Sequence, residues 1–210
     1  DAALERYDEF VEAVPAAPPP ALDNTSTVVL KQFEQALKAQ DLDVLRAILH
    51  PEYRRSMREK FRTQDTWGID GEIDFLKELA DRKIGIDLEP IAIRGDDLSA
   101  FRAVIGTGHT KVDAHAVAVV RDGLILEMIT FDDAQLDETL DELDRQWVGL
   151  GGSALVANRW ASWRRAMSTV DSVAIAELLS EHFVDVDHRP LGEATRNRQD
   201  YLGTLAPLTE

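Results

Sequence analysis

Val112-Asp113-Ala114-His115-Ala116-Val117-Ala118-Val119-Val120-Arg121-Asp122-Gly123-Leu124-Ile125-Leu126-Glu127-Met128-Ile129-Thr130-Phe131-Asp132 is the stretch that decides the fold. Two β-rich runs meet at Asp122-Gly123, the dipeptide best suited to a two-residue hairpin turn whose central residues both need positive φ. Upstream, the apolar period is also 2 from Gly85 onward, so strands are expected at 86–94, 98–106, 112–121 and 124–131. Before Gly85 the period is 3.6. Val28, Leu30, Phe33, Ala36 and Leu37 predict a helix over 27–40, Leu42, Leu45, Ile48 and Leu49 a second over 41–49, and Ile73, Leu76 and Leu79 a third over 71–82. Between the second and third, a basic patch at Arg54–Lys60 leads into an irregular stretch holding Trp67 and Gly68. A closing amphipathic helix is expected over 136–147. Helices followed by hairpins define an α+β fold with an antiparallel sheet.

The 210 residues carry 44% hydrophobic and 30% charged side chains, the balance of a chain with a real core. The formal charge of −16 repels nucleic-acid phosphates and anionic lipid, so no direct nucleic-acid or membrane contact is expected. No apolar run approaches a membrane span and no basic-then-apolar leader opens the sequence, which points to the cytoplasm. The absence of cysteine excludes disulfides, thiolate metal sites and a cysteine nucleophile. No metal-ligand spacing, glycine-rich phosphate loop or nucleophile elbow occurs, so neither metal nor cofactor is expected.

The chain also resembles itself. An offset of 130 residues carries Phe33 to Trp163, Ala36 to Ala166, Asp41 to Asp171, Leu45 to Ile175, Leu49 to Leu179 and Tyr53 to Phe183. An offset of 136 carries Asp1 to Asp137, Leu4 to Leu140 and Asp8 to Asp144. Four segments follow: residues 1–14 as the closing helix of a preceding unit, 15–23 as a Pro-rich linker, 24–148 as a complete domain, and 153–210 as the helical front of a second unit with three helices and no sheet. The apolar faces of that last segment need a surface to dock on.

The order of helices, sheet and closing helix resembles the SnoaL-like branch of the nuclear-transport-factor-2-like superfamily. The run from Phe131-Asp132-Asp133 through Leu143-Asp144 is similar to the end of tandem units in large actinobacterial regulatory proteins. Leu88–Leu98, Asp187–Gly192 and Arg198–Leu202 have the same look. The resemblance implies a cone-shaped fold, three N-terminal helices and a curved antiparallel sheet around a pocket, used in tandem repeat. It also implies a homodimer or a contact between tandem units.

A flush two-residue hairpin would pair Val119 with Leu126, Val117 with Met128, His115 with Thr130 and Asp113 with Asp132. Asp113, His115, Thr130 and Asp132 would then converge at one end of one face, where Asp113, His115 and Asp132 could serve as acid–base groups. The same end also reads as a solvated rim. The other face would set Ala114, Ala116, Ala118 and Val120 against Phe131, Ile129, Glu127 and Ile125, a row suited to sheet-to-sheet packing. Glu127 is the anomaly there, either facing a wet pocket or pairing with a cation such as Arg102, so Glu127 and His115 are rival pocket residues. Tyr53 and Trp67 flank the expected pocket mouth, as ligand contacts or as packing. Asp187-His188 is a second acid–imidazole pair, but adjacent strand residues face opposite ways. The function expected is a non-catalytic ligand-sensing or self-association module of a larger regulatory protein, binding a small apolar or amphipathic ligand. The alternative is a small-molecule enzyme of isomerase, cyclase or epoxide-hydrolase type.

Overall fold

The computed structural model describes residues 22–59, 62–107, 110–185 and 196–205. The expected helix at 1–13, most of the Pro-rich linker and the Asp187-His188 pair lie outside the described residues. The chain divides into a unit at residues 22–158 and a second one that includes 159–210, the division falling within one helix.

The larger unit opens with α1 (Thr25–Ala39) and α2 (Leu42–Ile48). Asn24 caps α1, its side chain accepting from the Thr27 N–H at 2.8 Å while the Thr27 hydroxyl closes a reciprocal capping box. The Asn24 amide also donates to the carbonyls of Gly95 and Leu98, and the Ser26 hydroxyl bonds that of Ser99 at 2.7 Å. The start of α1 is thereby tied to a distant β-turn. Asp41 caps α2.

Where an irregular stretch was expected, β1 (Leu49–Glu59) and β2 (Arg62–Trp67) pair antiparallel. Charged residues hid β1, which alternates Tyr53, Arg55 and Met57 on the inner face with Arg54, Ser56 and Arg58 on the outer. Next come α3 (Ile69–Asp81), β3 (Gly85–Arg94), β4 (Leu98–Thr107), β5 (Thr110–Arg121), β6 (Leu124–Asp132) and α4 (Leu136–Gly149). The sheet order is β2-β1-β6-β5-β4-β3, antiparallel except that β1 runs parallel to β6. It is therefore mixed rather than wholly antiparallel. Irregular registers at Arg55/Met57, Leu49/Arg54, Pro90/Ala92 and Val119/Val120 bend the strands, as bulges do.

Each face of the sheet has its own core. The inner face packs Phe101, Ala103, Ala116, Ala118, Val120, Ile125 and Met128 against Leu30, Phe33, Leu45, Tyr53 and Leu76 from the front of the unit. The outer face packs Leu98, Ala100, Val117, Val119, Ile129 and Phe131 under Leu140, Leu143 and Trp147 of α4. The alanine row of β5, expected to meet another sheet, is instead buried beneath the domain's own helices.

Residues 159–205 supply the rest of α5 (Ala154–Ser168), then α6 (Ser172–Leu178), β7 (Val184–Asp185), β8 (Arg196–Asn197) and α7 (Arg198–Leu205). β7 and β8 pair antiparallel, so this part is not free of strands as expected. Its core is small: Ala166, Ile175 and Leu205. No helix among the described residues is long and apolar enough to cross a membrane.

Candidate functional site

The turn at Asp122-Gly123 forms as expected, with φ of 52° and 75°. The ladder above it does not. Arg121 faces Leu124 and Val120 faces Ile125, but Val119 faces Glu127, so Leu126 is an extra residue on β6. Every later pair shifts by one, and with a side-chain period of 2 the faces exchange. His115 sits opposite Phe131, while Thr130 sits opposite Ala116 and Asp132 opposite Ala114. The expected cluster is split. Asp113 and His115 belong to the outer face, Thr130 and Asp132 to the inner.

Arg102 donates to Asp113 and to Glu89, so it pairs with those carboxylates and not with Glu127. Glu127 lies on the outer face with Arg54 at 3.4 Å. Neither rival, His115 nor Glu127, therefore lines the inner face. His115 is buried, and its Nδ1 has no hydrogen-bond partner.

The polar centre of the inner side is one the sequence reading missed. Glu72, fully buried in the first turn of α3, accepts from Arg55 Nη1 at 2.7 Å through one oxygen and from Trp67 Nε1 at 3.0 Å through the other. A carboxylate in a first helical turn also meets the positive end of the helix dipole. The Arg55 guanidinium lies 5.2 Å from the Phe75 ring centroid and 6.0 Å from that of Trp67, within cation–π range. Burial opposes the charge on Arg55, but the Glu72 carboxylate outweighs it and holds the guanidinium more firmly protonated than usual. Burial, and after it the Glu72 charge, push the Tyr53 phenol well above its ordinary range, so it remains a neutral hydroxyl. Three deeply buried polar atoms have no hydrogen-bond partner here or beside it: Tyr53 Oη, Arg55 Nε and Thr130 Oγ1.

Two signals pointed to this centre. Glu72 shares a helical stripe with Leu76 and Leu79, and Arg55 alternates with Tyr53 and Met57. A charge inside an apolar stripe implies a buried partner.

Beside the pair, between β1–β2 and α3, lies an open groove of about 600 Å³ lined by Met57, Trp67, Gly71, Phe75 and Leu79, with Asp74, Glu78 and Arg82. Trp67 and Phe75 form a tilted pair 6.1 Å apart. Gly71 matters at this point, because a Cβ there would come 2.9 Å from that of Trp67. Of the expected ligand residues, Trp67 lines this groove, Tyr53 and Thr130 are buried on the inner side without lining it, and Arg102, His115 and Glu127 face elsewhere. No group of three His, Cys, Asp or Glu side chains among the described residues could hold a metal ion.

The described residues give the α+β arrangement expected from the sequence: helices at the front, a bulged, mostly antiparallel sheet and a closing α4. No protein-family model matches the chain, and no characterised protein matches it in sequence. Solved structures resemble it in shape. An NTF2-like protein of unknown function from Cytophaga hutchinsonii is 11% identical, with a TM-score of 0.43 over 54% of this chain and 94% of that one. A candidate polyketide cyclase from Xanthomonas campestris is 17% identical, with a TM-score of 0.43 over 53% and 92%. An LEH-like epoxide hydrolase from Mycobacterium tuberculosis is 19% identical, with a TM-score of 0.43 over 60% and 94%. At such identities and TM-scores neither a family nor a chemistry is carried across.

Proposed function

We propose that this chain is a ligand-sensing or self-association module of a larger regulatory protein, acting in the cytoplasm without catalysing a reaction or touching nucleic acid directly. The observation that carries the reading is the division of the candidate acid–base groups. Asp113 and His115 stand on one face of the sheet, Thr130 and Asp132 on the other. Acid–base catalysis needs its groups within hydrogen-bond reach of one substrate position. The buried carboxylate of Glu72 is no substitute, because it is fully enclosed, held by Arg55 and Trp67, and does not line the groove. The groove joins an apolar and aromatic wall of Met57, Trp67, Phe75 and Leu79 to the charged side chains of Asp74, Glu78 and Arg82, the make-up of a pocket that binds an amphipathic molecule. The regulatory context is supported by the resemblance of Phe131–Asp144 to units found in such proteins.

The test joins a thermal-shift screen of small apolar and amphipathic molecules to mass measurement in solution and a turnover screen. A hit should raise Tm in the native chain and fail to do so in Phe75→Ala. A strict monomer stabilised by none of the compounds overturns the proposal. So does turnover of any compound that Asp113→Asn and His115→Ala both abolish, since those groups would then have to act together.

A further inference from the structure

The described residues between 154 and 205 reproduce the backbone of the front of the larger unit in detail that amphipathic helices do not share by chance. At an offset of 130, Leu42–Ile48 of α2 becomes Ser172–Leu178 of α6, with both ends in register. Asp41 and Asp171 are the N-caps, and the residues before them, Gln40 and Val170, have φ of 55° and 49°. Positive φ is costly for a β-branched residue such as Val170, so local sequence preference does not account for it. The Asp41 N–H donates to the Ala36 carbonyl and the Asp171 N–H to that of Ala166. The helices end on Leu49 at φ −85°, ψ 132° and Leu179 at φ −86°, ψ 133°. The antiparallel pair β7–β8 then follows, and α7 stands where α3 stands.

Side-chain burial departs from this match on the face that meets the sheet. Positions joining the two helices are buried in both copies: Ala36 and Ala166, Leu45 and Ile175. Positions that face the sheet differ, for Leu30 is 2% exposed and its counterpart Trp160 is 50% exposed. Phe33 is buried, while Trp163 is only partly so. In the larger unit the cover over Leu30 and Phe33 is the inner sheet face, with Phe101, Ala116, Ala118 and Val120.

We propose that residues 154–205 are the front half of a second unit, and that the face carrying Trp160 and Trp163 docks on the inner face of an antiparallel sheet of the β3–β6 kind. The partner is thus a small-residue, apolar sheet face of the kind β3–β6 present in the larger unit, one not already covered by helices of its own. The surface continues an interface already formed once in the chain by the equivalent residues. The proposal rests on the self-association arm of the function given above and not on its ligand arm, so a failed ligand screen leaves it standing.

The experiment uses the full chain, lengthened after Glu210 by a second copy of its own Asp81–Gly149, the segment that follows in phase. Amide hydrogen exchange in α5 and α6 is expected to slow by about tenfold or more relative to the 210-residue chain. Trp160→Glu in the lengthened chain should return it to the original rate while residues 25–149 keep theirs. Unaltered exchange in α5 and α6 overturns the proposal, whether or not the added strands become protected. Slowing that Trp160→Glu leaves intact overturns it as well.

Discussion

Arg55 and Glu72 show what a buried charge pair does to a residue's tolerance. Each side chain is desolvated, and each is compensated by the other, by Trp67 and by the aromatic faces. Removing one partner leaves the other charge stranded, a change that typically costs about 3–5 kcal/mol, whereas an apolar pair of similar volume can be close to neutral. Urea denaturation should therefore find Arg55→Met and Glu72→Leu each strongly destabilised and the double variant less so than the sum. Strict additivity would mean that the two side chains are not energetically coupled, despite their 2.7 Å contact. Glu142 is the second case. Burial acts to raise its carboxyl pKa, but hydrogen bonds from Arg145 and Gln146 and the charge of Arg58 outweigh burial and hold it below the ordinary range. A carboxyl depressed in the folded state stabilises fully above its unfolded value, about pH 4.3, and loses that contribution as pH falls through the lower folded value. Glu142→Gln should accordingly lessen the fall in stability on acidifying below about pH 4.3. An unchanged pH profile would remove Glu142 from the account.

At the scale of elements, the hairpin turn was legible and the ladder was not. Asp122-Gly123 has a conformational requirement that few sequences meet, so it announces itself. Leu126 does not, because Leu124, Ile125 and Leu126 are all apolar and a bulge among them leaves no polar marker. The sign of the shift was Glu127. In a flush register it falls in an apolar row, while in the bulged one it faces Arg54 on the outer side. Strand β1 was missed for a related reason: its inner face carries Arg55, whose partner Glu72 is distant in sequence. The helix start at Asn24 was harder still, since its most telling bonds reach Gly95 and Leu98 across 71 and 74 residues. Those bonds imply that Asn24→Ala removes both a cap worth about 1 kcal/mol and the partner of the buried Leu98 carbonyl, roughly 2–4 kcal/mol in total. Asn24→Ser should recover only the cap portion. Equal Tm values for the two variants would mean that the link to the β3–β4 turn contributes nothing.

For the whole molecule, the decisive feature is that one sheet serves two cores in residues 22–158, whereas the core found among the described residues from 159 onward is small. Val117, Ile125 and Ile129 are fully buried at the centre of that sheet, with helices over one face and α4 over the other. Apolar burial contributes about 25 cal/mol per Å², so the resistance of a segment to opening follows the area it buries. Trp160, Val173 and Val184 keep much of their area in water and contribute little. The two parts should then open separately. Native-state hydrogen exchange should find the amides of β5 and β6 exchanging only through global unfolding, and those of α5 through α7 through an opening of much lower free energy. Added urea should accelerate the first set steeply and the second weakly, because the slope reports the surface exposed in the opening. A common slope and a common free energy for both sets would mean that residues 159–205 belong to the same cooperative structure as the sheet, in spite of their separate core.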